Sequence, residues 1–224
     1  MIHVKNEINL TTQKKETMKT KKYFFMATVS LLIFLLTGCG GGMKTSKNEF
    51  LGEIPSIQKY YRTKIHEKDK ELKECTDLQK AFKLDKEEQQ LKEEWDSKIT
   101  ESMKANPLAA ALPFEPLKDQ PYSIEKISVD RVNSMGLGIK ISLKINTDIK
   151  FEYKDIWVYY MALDKDGKEI QGTKLQSLIK QELGKDLKAG TEVETTGSWT
   201  TVVITTMEDF AKIKFITKDE YDKK

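Results

Sequence analysis

The sequence predicts an α+β fold in which a helical segment precedes a β-sandwich. Between residues 53 and 105, apolar side chains recur at steps of three and four, which is the spacing of an amphipathic helix. From residue 122 onward the period changes to two, which is typical of strands with one buried face. The proline-rich residues 106–121 separate the two patterns and predict a domain boundary.

Residues 1–38 have the features of an export leader. A lysine-rich stretch follows Met18, and residues 23–36 form an uncharged, mostly apolar run of fourteen residues. A helix of that length rises about 21 Å, which is too short for the roughly 30 Å hydrocarbon core of a bilayer. The run therefore predicts a cleaved signal peptide rather than a permanent membrane span, with Met18 as the true start.

The leader ends on Leu36-Thr37-Gly38-Cys39. These residues resemble the lipobox of bacterial lipoprotein precursors, in which an aliphatic residue and two small residues precede a cysteine. The resemblance implies cleavage after Gly38 and attachment of a diacylglyceryl group to the sulfur of Cys39. The alternative is an ordinary secretory signal with a chance cysteine. In a Gram-negative host the outer membrane is favoured, because Gly40 stands where an inner-membrane retention signal has aspartate.

The chain beyond the leader is close to electrically neutral. The full sequence has a formal charge of +3, but residues 1–38 carry six lysines and two glutamates. The remainder carries 32 basic and 33 acidic side chains. This balance argues against nucleic acid as a partner.

A tether and two helices are predicted next. Residues 39–52, which begin with glycines and small polar residues, read as a lipidated flexible tether. Within residues 53–105, Asp85 and Glu88 form a capping-box pattern that favours a fresh helix start. The apolar face of the first helix comprises Ile57, Tyr61, Ile65, Leu72, Cys75, Leu78 and Phe82, and that of the second comprises Leu91, Trp95, Ile99 and Met103. A helical hairpin follows, with one long kinked helix or a coiled coil as the alternatives.

Residues 122–217 are predicted to form the sandwich, followed by a charged tail at 218–224. The predicted strands cover 124–132, 137–145, 156–163, 168–171, 192–204 and 211–216, while 175–183 reads as a helical or edge insertion. The proline-rich linker carries four apolar side chains, Leu108, Leu112, Phe114 and Leu117, which are expected to pack against a neighbouring segment. Six or seven short strands over this length indicate a sandwich.

The sandwich region resembles the FxLYD-type immunoglobulin-like domains of bacterial surface lipoproteins. The resemblance rests on Tyr160-Met-Ala-Leu-Asp164, on the Asp166-Gly167-Lys168 turn and on the Ala189-Gly190-Thr191 turn before a late strand. It departs from that family's pattern at Ala162 and Leu163. It implies an all-β immunoglobulin-like sandwich with a binding or spacing role rather than a catalytic one.

Residue types that carry chemistry are sparse beyond the leader. His66 is the one histidine left after cleavage, and it is expected to be solvated, while Cys75 is expected to be a free, core-facing thiol because a lipidated Cys39 cannot pair with it. No spacing of cysteine and histidine indicates a metal site, and no cofactor is predicted. A carboxylate-based hydrolase would need two close carboxyl groups, one with a raised pKa.

Four aromatic residues are candidates for a ligand surface. We expect most of Trp157, Tyr159, Tyr160 and Trp199 to be buried in the core. Trp199, flanked by Gly197, Ser198 and threonines, is the member most expected to be exposed, and it is the candidate binding residue.

The sequence as a whole predicts a non-enzymatic envelope lipoprotein. Its β-sandwich is expected to bind or to act as a scaffold for an envelope protein or glycan, with the membrane as the partner of the N-terminal lipid. A lipoprotein that binds a small ligand or acts as an inhibitor is the alternative, and a carboxylate-based hydrolase is a third reading.

Overall fold

The computed structural model describes residues 46–152 and 155–223, all within the compact unit Met43–Lys224. The predicted signal peptide, Gly38, Cys39 and the first part of the tether lie outside the described residues. The helices are α1 (Ile54–Lys73), α2 (Leu78–Ala105), α3 (Thr201–Ile204) and α4 (Lys218–Asp222). The strands are β1 (Phe114–Glu115), β2 (Tyr122–Asn133), β3 (Gly136–Ile145), β4 (Ile156–Asp164), β5 (Leu175–Ile179), β6 (Glu192–Thr200) and β7 (Phe210–Ile216).

The strands form two sheets, so the α+β class is confirmed. One sheet has the order β1-β7-β4-β5 and the other has the order β2-β3-β6. All pairs in these sheets are antiparallel except β1 with β7, which is parallel. Alternate side chains of β3, from Leu137 to Ile145, are buried, as the period of two predicts.

Helices α1 and α2 pack against each other in an antiparallel arrangement. Tyr61 of α1 stacks on Trp95 of α2, with ring centroids 6.0 Å apart. Toward the far end of the pair, Lys68 Nζ lies 2.9 Å from a carboxylate oxygen of Glu87. Later residues of α1 therefore lie beside earlier residues of α2, so the two helices run in opposite directions.

The break between these helices lies earlier than the sequence pattern indicated. The predicted start at Asp85 is wrong, because Asp85 lies inside α2, where its carboxylate accepts a hydrogen bond from the Gln89 amide. The N-cap is instead Asp77, whose carboxylate accepts hydrogen bonds from the backbone N–H groups of Gln79 and Lys80. No glycine or proline interrupts 78–105, so nothing stops the helix from running through the second capping pattern.

The earlier break changes which side chains are buried. Leu78 and Phe82, expected on the apolar face of the first helix, are 77% and 69% exposed. Cys75, expected to face the core, lies half-buried in the loop between the helices, and its thiol donates to the carbonyl of Asp77. His66 is exposed, as predicted.

The helices and the sheets share one hydrophobic core. Ile54, Ile57, Trp95 and Ile99 belong to the same buried cluster as the inward side chains of both sheets. Ile65 and Leu91 are the outermost helical side chains that pack against this cluster. Residues 66–90, which we call the arm, therefore extend beyond the core.

The end of the predicted flexible tether is packed, contrary to expectation, and the proline-rich linker is packed as its apolar side chains predicted. In the predicted tether, Leu51 has no exposed surface, and the Asn48 side-chain amide donates to the carbonyls of Glu208 and Phe210. In the proline-rich linker, Leu112 is buried in the core, and Phe114 meets Phe215 edge to face. This linker also supplies β1, which the sequence pattern did not indicate.

The second half of the chain differs from its predicted elements, first at the predicted strand 192–204, which ends at Thr200 where residues 201–204 form α3. Residues 175–183 were expected to be a helical or edge insertion, and Leu175–Ile179 is an edge strand paired with β4 rather than a helix. The predicted strand at 168–171 reduces to one bridge between Leu163 and Glu169. The predicted tail includes α4, which begins with a capping box between Thr217 and Glu220.

Candidate functional site

The residue predicted to bind a ligand, Trp199, is buried. The expectation that its side chain is exposed is wrong, since the residue retains 1% of its surface. Its indole N–H donates to the carbonyl of Thr173 over 2.8 Å, and its ring meets Tyr160 edge to face. The small residues around Trp199 face solvent or the opposite sheet, which is why they misled the sequence interpretation.

A different cavity lies at one end of the sandwich, and we call it the tyrosine pocket. Its volume is about 260 Å³. Its two aromatic hydroxyl side chains are Tyr122 and Tyr159, and its apolar lining includes Leu117, Phe215 and Ile216. Its polar lining comprises Asp119, Gln120, Ser123 and Asn146. Three depressions elsewhere measure about 390–450 Å³ but are more open to solvent.

Strand pairing fixes the two tyrosines. Tyr122 is the first residue of β2 and lies opposite Ile145 of β3. The carbonyl of Pro121 accepts a hydrogen bond from the N–H of Asn146, which holds this end of β2 against the end of β3. Tyr159 lies in β4 opposite Ile216 of β7, so each ring is carried by a paired strand.

The loop 116–120 forms one wall of the pocket. Asp119 in this loop has a positive φ of 58°. Aspartate tolerates that left-handed backbone better than most residues do, because its short side chain can bond locally. The loop follows β1, whose parallel pairing with β7 places it beside the end of that strand.

One of the two phenols of the pocket, Tyr122, has a perturbed pKa. Burial raises the pKa of Tyr122 to about 12, and the neighbouring Tyr159 adds to the increase. No hydrogen bond joins either phenol hydroxyl to another residue in the described part of the chain. The Tyr122 hydroxyl is thus protonated at neutral pH, and neither phenol oxygen is taken up by a hydrogen bond to a described residue.

Other polar groups of the pocket also retain hydrogen-bonding capacity. The side-chain N–H of Gln120 makes one long bond of 3.4 Å to the carbonyl of Lys118. The Ser123 hydroxyl donates its single proton to Glu125 over 2.8 Å, so at 3.4 Å it makes at most a weak, shared bond with the Asn146 amide oxygen. The weak bonds of the two amides leave them able to bond a ligand.

Comparison with known proteins gives no relative for this chain. No family model, no curated protein and no solved structure matches it.

Other candidate chemistry is dispersed over the described residues. In 46–152 and 155–223 no group of three or more His, Cys, Asp or Glu side chains is placed to hold a metal ion. Asp148 and Asp186 share Lys188, and hydrogen bonds from backbone N–H groups, followed by those from Lys188, lower the pKa of both carboxyls. These two groups stay ionised near neutral pH, whereas a general acid needs a raised pKa.

The sequence pointed to only one of the two tyrosines that line this pocket. Tyr159 was among the aromatic candidates, but Tyr122 was treated only as the boundary of the sandwich. The available signal was a tyrosine directly after Pro121 at a strand start, next to a loop rich in polar residues.

Across the described residues, no helix has the length and apolar character to span a bilayer.

Proposed function

We propose that this protein is a lipid-anchored bacterial envelope lipoprotein whose β-sandwich is a non-catalytic binding or scaffolding module. The observation that carries the proposal is the sequence Leu36-Thr37-Gly38-Cys39 at the end of a charged and then apolar leader. After cleavage, Cys39 is the N-terminal residue and carries the lipid. The lipid holds the protein on the cell envelope, and in a Gram-negative host it holds the protein on the outer membrane.

The anchor is strong enough to hold the body permanently. Two acyl chains with about fourteen buried methylenes each, at about 0.8 kcal/mol per methylene, give on the order of 20 kcal/mol of partitioning free energy. The first described residue, Ser46, is seven residues beyond Cys39. Seven extended residues span at most about 25 Å, so the folded body stays close to the membrane surface.

The strand pairing supports an immunoglobulin-like assignment of the sandwich. β3 pairs with β6 in one sheet and β4 pairs with β7 in the other. These are the relations of strands B with E and C with F in the immunoglobulin fold. A crystal structure with β3 and β4 in the same sheet would contradict the assignment. Such modules support binding and spacing roles.

Fatty-acid labelling tests the anchor. Cells expressing the full chain are grown with a labelled palmitate, and the protein is recovered from membrane and soluble fractions. We expect the label and the membrane location to be lost in Cys39→Ser and kept in Cys75→Ser. The chain has two cysteines, so the second variant is a matched control. Native protein with an unmodified Cys39 still joined to its leader would overturn the proposal.

Binding of a small ligand is the second candidate for the role of the sandwich. The tyrosine pocket favours it, since apolar walls combined with a few polar groups are characteristic of small-molecule sites. The pocket is slightly smaller than the range of about 300–1,000 Å³ typical of such sites. It therefore suits a small molecule or the end group of a larger one.

A further inference from the structure

We infer that the tyrosine pocket binds a neutral sugar ring, either free or as the terminal unit of an envelope glycan. The inference deepens the proposed binding function and rests on it. It depends on three properties of the pocket, which are its aromatic faces, its hydrogen-bonding groups and its balance of charge.

The aromatic side chains supply apolar contact. Tyr122 and Tyr159 are half-buried, so each ring is held by the protein while part of it remains accessible. Tyr221 of α4 lies 5.0 Å from Tyr159 between ring centroids and supports that ring from the side. A sugar ring has an apolar face of C–H groups, and a fixed phenol ring offers it a flat apolar surface at low entropic cost.

The hydrogen-bonding groups match a ligand with many hydroxyls. The phenols of Tyr122 and Tyr159 and the amides of Gln120 and Asn146 can each donate and accept. A sugar hydroxyl also donates and accepts, so it can accept a hydrogen bond from any of these groups or donate one to it. Neither phenol is committed to a hydrogen bond with another described residue, so a ligand does not have to displace an internal bond.

The charge balance selects a neutral ligand. Among the described residues, Asp119 is the one charged side chain that lines the pocket, and it is exposed at the rim. An anion would meet this carboxylate, and the described lining residues include no basic side chain to compensate. Near Tyr159, Lys218 of α4 is paired with Asp222, which raises the pKa of that lysine, so the two charges compensate each other.

A trimethylammonium ligand is the main rival, because aromatic side chains and a carboxylate can also hold such a cation. It would use the rings and Asp119 but would leave the phenol hydroxyls and the two amides without partners. Desolvating those groups without compensation disfavours that ligand. The sugar ring satisfies both the rings and the polar groups.

Saturation-transfer NMR on the lipoprotein extracted in detergent tests the inference. The probes are N-acetyl-D-glucosamine, D-glucose and D-galactose, with tetramethylammonium as the rival and glycerol as an open-chain control. We expect at least one sugar to bind at millimolar concentration through its ring protons. Tyr159→Ala and Asn146→Ala are each expected to weaken that binding about tenfold or more. Tyr60→Phe, on α1 outside the pocket, is the matched control and is expected to bind like the native protein.

Two results overturn the inference. One is that no sugar binds to the native protein, whether or not tetramethylammonium does. The other is that sugar binding is unchanged in Tyr159→Ala and in Asn146→Ala; Asn146 is exposed, so its variant is expected to fold. The mass of the lipid on Cys39 is measured in the same sample. Lipidated protein without sugar binding contradicts only the pocket inference, whereas sugar binding by unlipidated protein contradicts only the anchor.

Discussion

The hydroxyl of Tyr160 occupies the space that a β-carbon on Gly197 would need. Tyr160 lies in β4 and Gly197 in β6, so the contact joins the two sheets. The Tyr160 hydroxyl is 2.8 Å from the Ser177 hydroxyl, which in turn donates to the carbonyl of Thr196 over 3.0 Å. Because the serine proton is used on that carbonyl, the Tyr160 hydroxyl donates to serine.

Replacing Gly197 with alanine is expected to destabilise the sandwich. The new methyl group overlaps the Tyr160 hydroxyl and also lies 3.0 Å from the Ser177 hydroxyl oxygen. Overpacking of this kind costs about 1–3 kcal/mol or more. Urea unfolding measures the change in the free energy of unfolding. Gly138→Ala in β3 is the control, because the nearest atom to its added carbon is at an ordinary 3.6 Å.

A second substitution identifies the cause. Tyr160→Phe removes the overlapping oxygen, so the double variant with Gly197→Ala should lose less stability than the two single variants combined. Additive losses would show that the hydroxyl does not cause the conflict. The glycine would then be required for another reason.

This contact shows why one part of the sequence misled the interpretation. Alternation in β3 and β7 predicted their strands, because a period of two with one buried face is encoded locally. The exposure of Trp199 was judged from its small neighbours. Gly197 is small because Tyr160 and Ser177 of the opposite sheet fill the space above it, and that information lies twenty or more residues away.

The start of α2, strand β5 and the pocket also depend on contacts that the local sequence does not encode. The capping pattern at Asp85 is a valid local signal, but the helix begins after Asp77, an N-cap residue that has Lys80 rather than a glutamate three positions later. Leu175–Ile179 became a strand because the exposed edge of β4 offered it a partner. The tyrosine pocket combines a loop, the start of β2, an interior residue of β4 and the ends of β3 and β7, so no sequence window contains it.

Replacing Trp199 with phenylalanine is expected to cost about 2–4 kcal/mol. The change removes the hydrogen bond to the Thr173 carbonyl, which then stays buried without that donor, and it leaves part of the indole volume empty. Chemical unfolding followed by circular dichroism measures the loss. Trp157→Phe is the control, because Trp157 is only half-buried and should change stability much less. Equal losses in the two variants would contradict the burial of Trp199.

The protein is expected to lose stability as the pH rises from about 10 to 12. Burial is the main cause that raises the pKa of Tyr61, Tyr122 and Tyr160 from 10.0 to about 12. In this window the folded state keeps protons that the unfolded state releases, so the free energy of unfolding falls with pH. The stabilisation is complete below pH 10 and is lost as the pH passes about 12.

Ultraviolet titration of phenolate absorbance checks this expectation. In the native protein a fraction of the phenols should stay protonated above pH 10, whereas in denaturant all tyrosines should titrate together near pH 10. Tyr160→Phe should reduce the fraction that stays protonated above pH 10 by one phenol. A native curve identical to the denatured one would show that none of the three phenols is protected.

The arm is expected to open independently of the sandwich. Within residues 66–90 the buried apolar side chain is Leu84, which is 5% exposed but lies outside the core cluster. The ion pair between Lys68 and Glu87 adds a further link between the helices, worth about 1 kcal/mol or less at this exposure. Few buried contacts imply a low free energy of local opening, so arm amides should exchange with deuterium faster than those of β3.

Leu84→Ala should accelerate exchange in the arm and leave β3 unchanged, because it removes a contact that the sandwich does not share. Phe82→Ala deletes a similarly apolar but 69% exposed side chain and should have little effect. If Leu84→Ala instead accelerated exchange in β3 as much as in the arm, the arm and the sandwich would unfold as one unit.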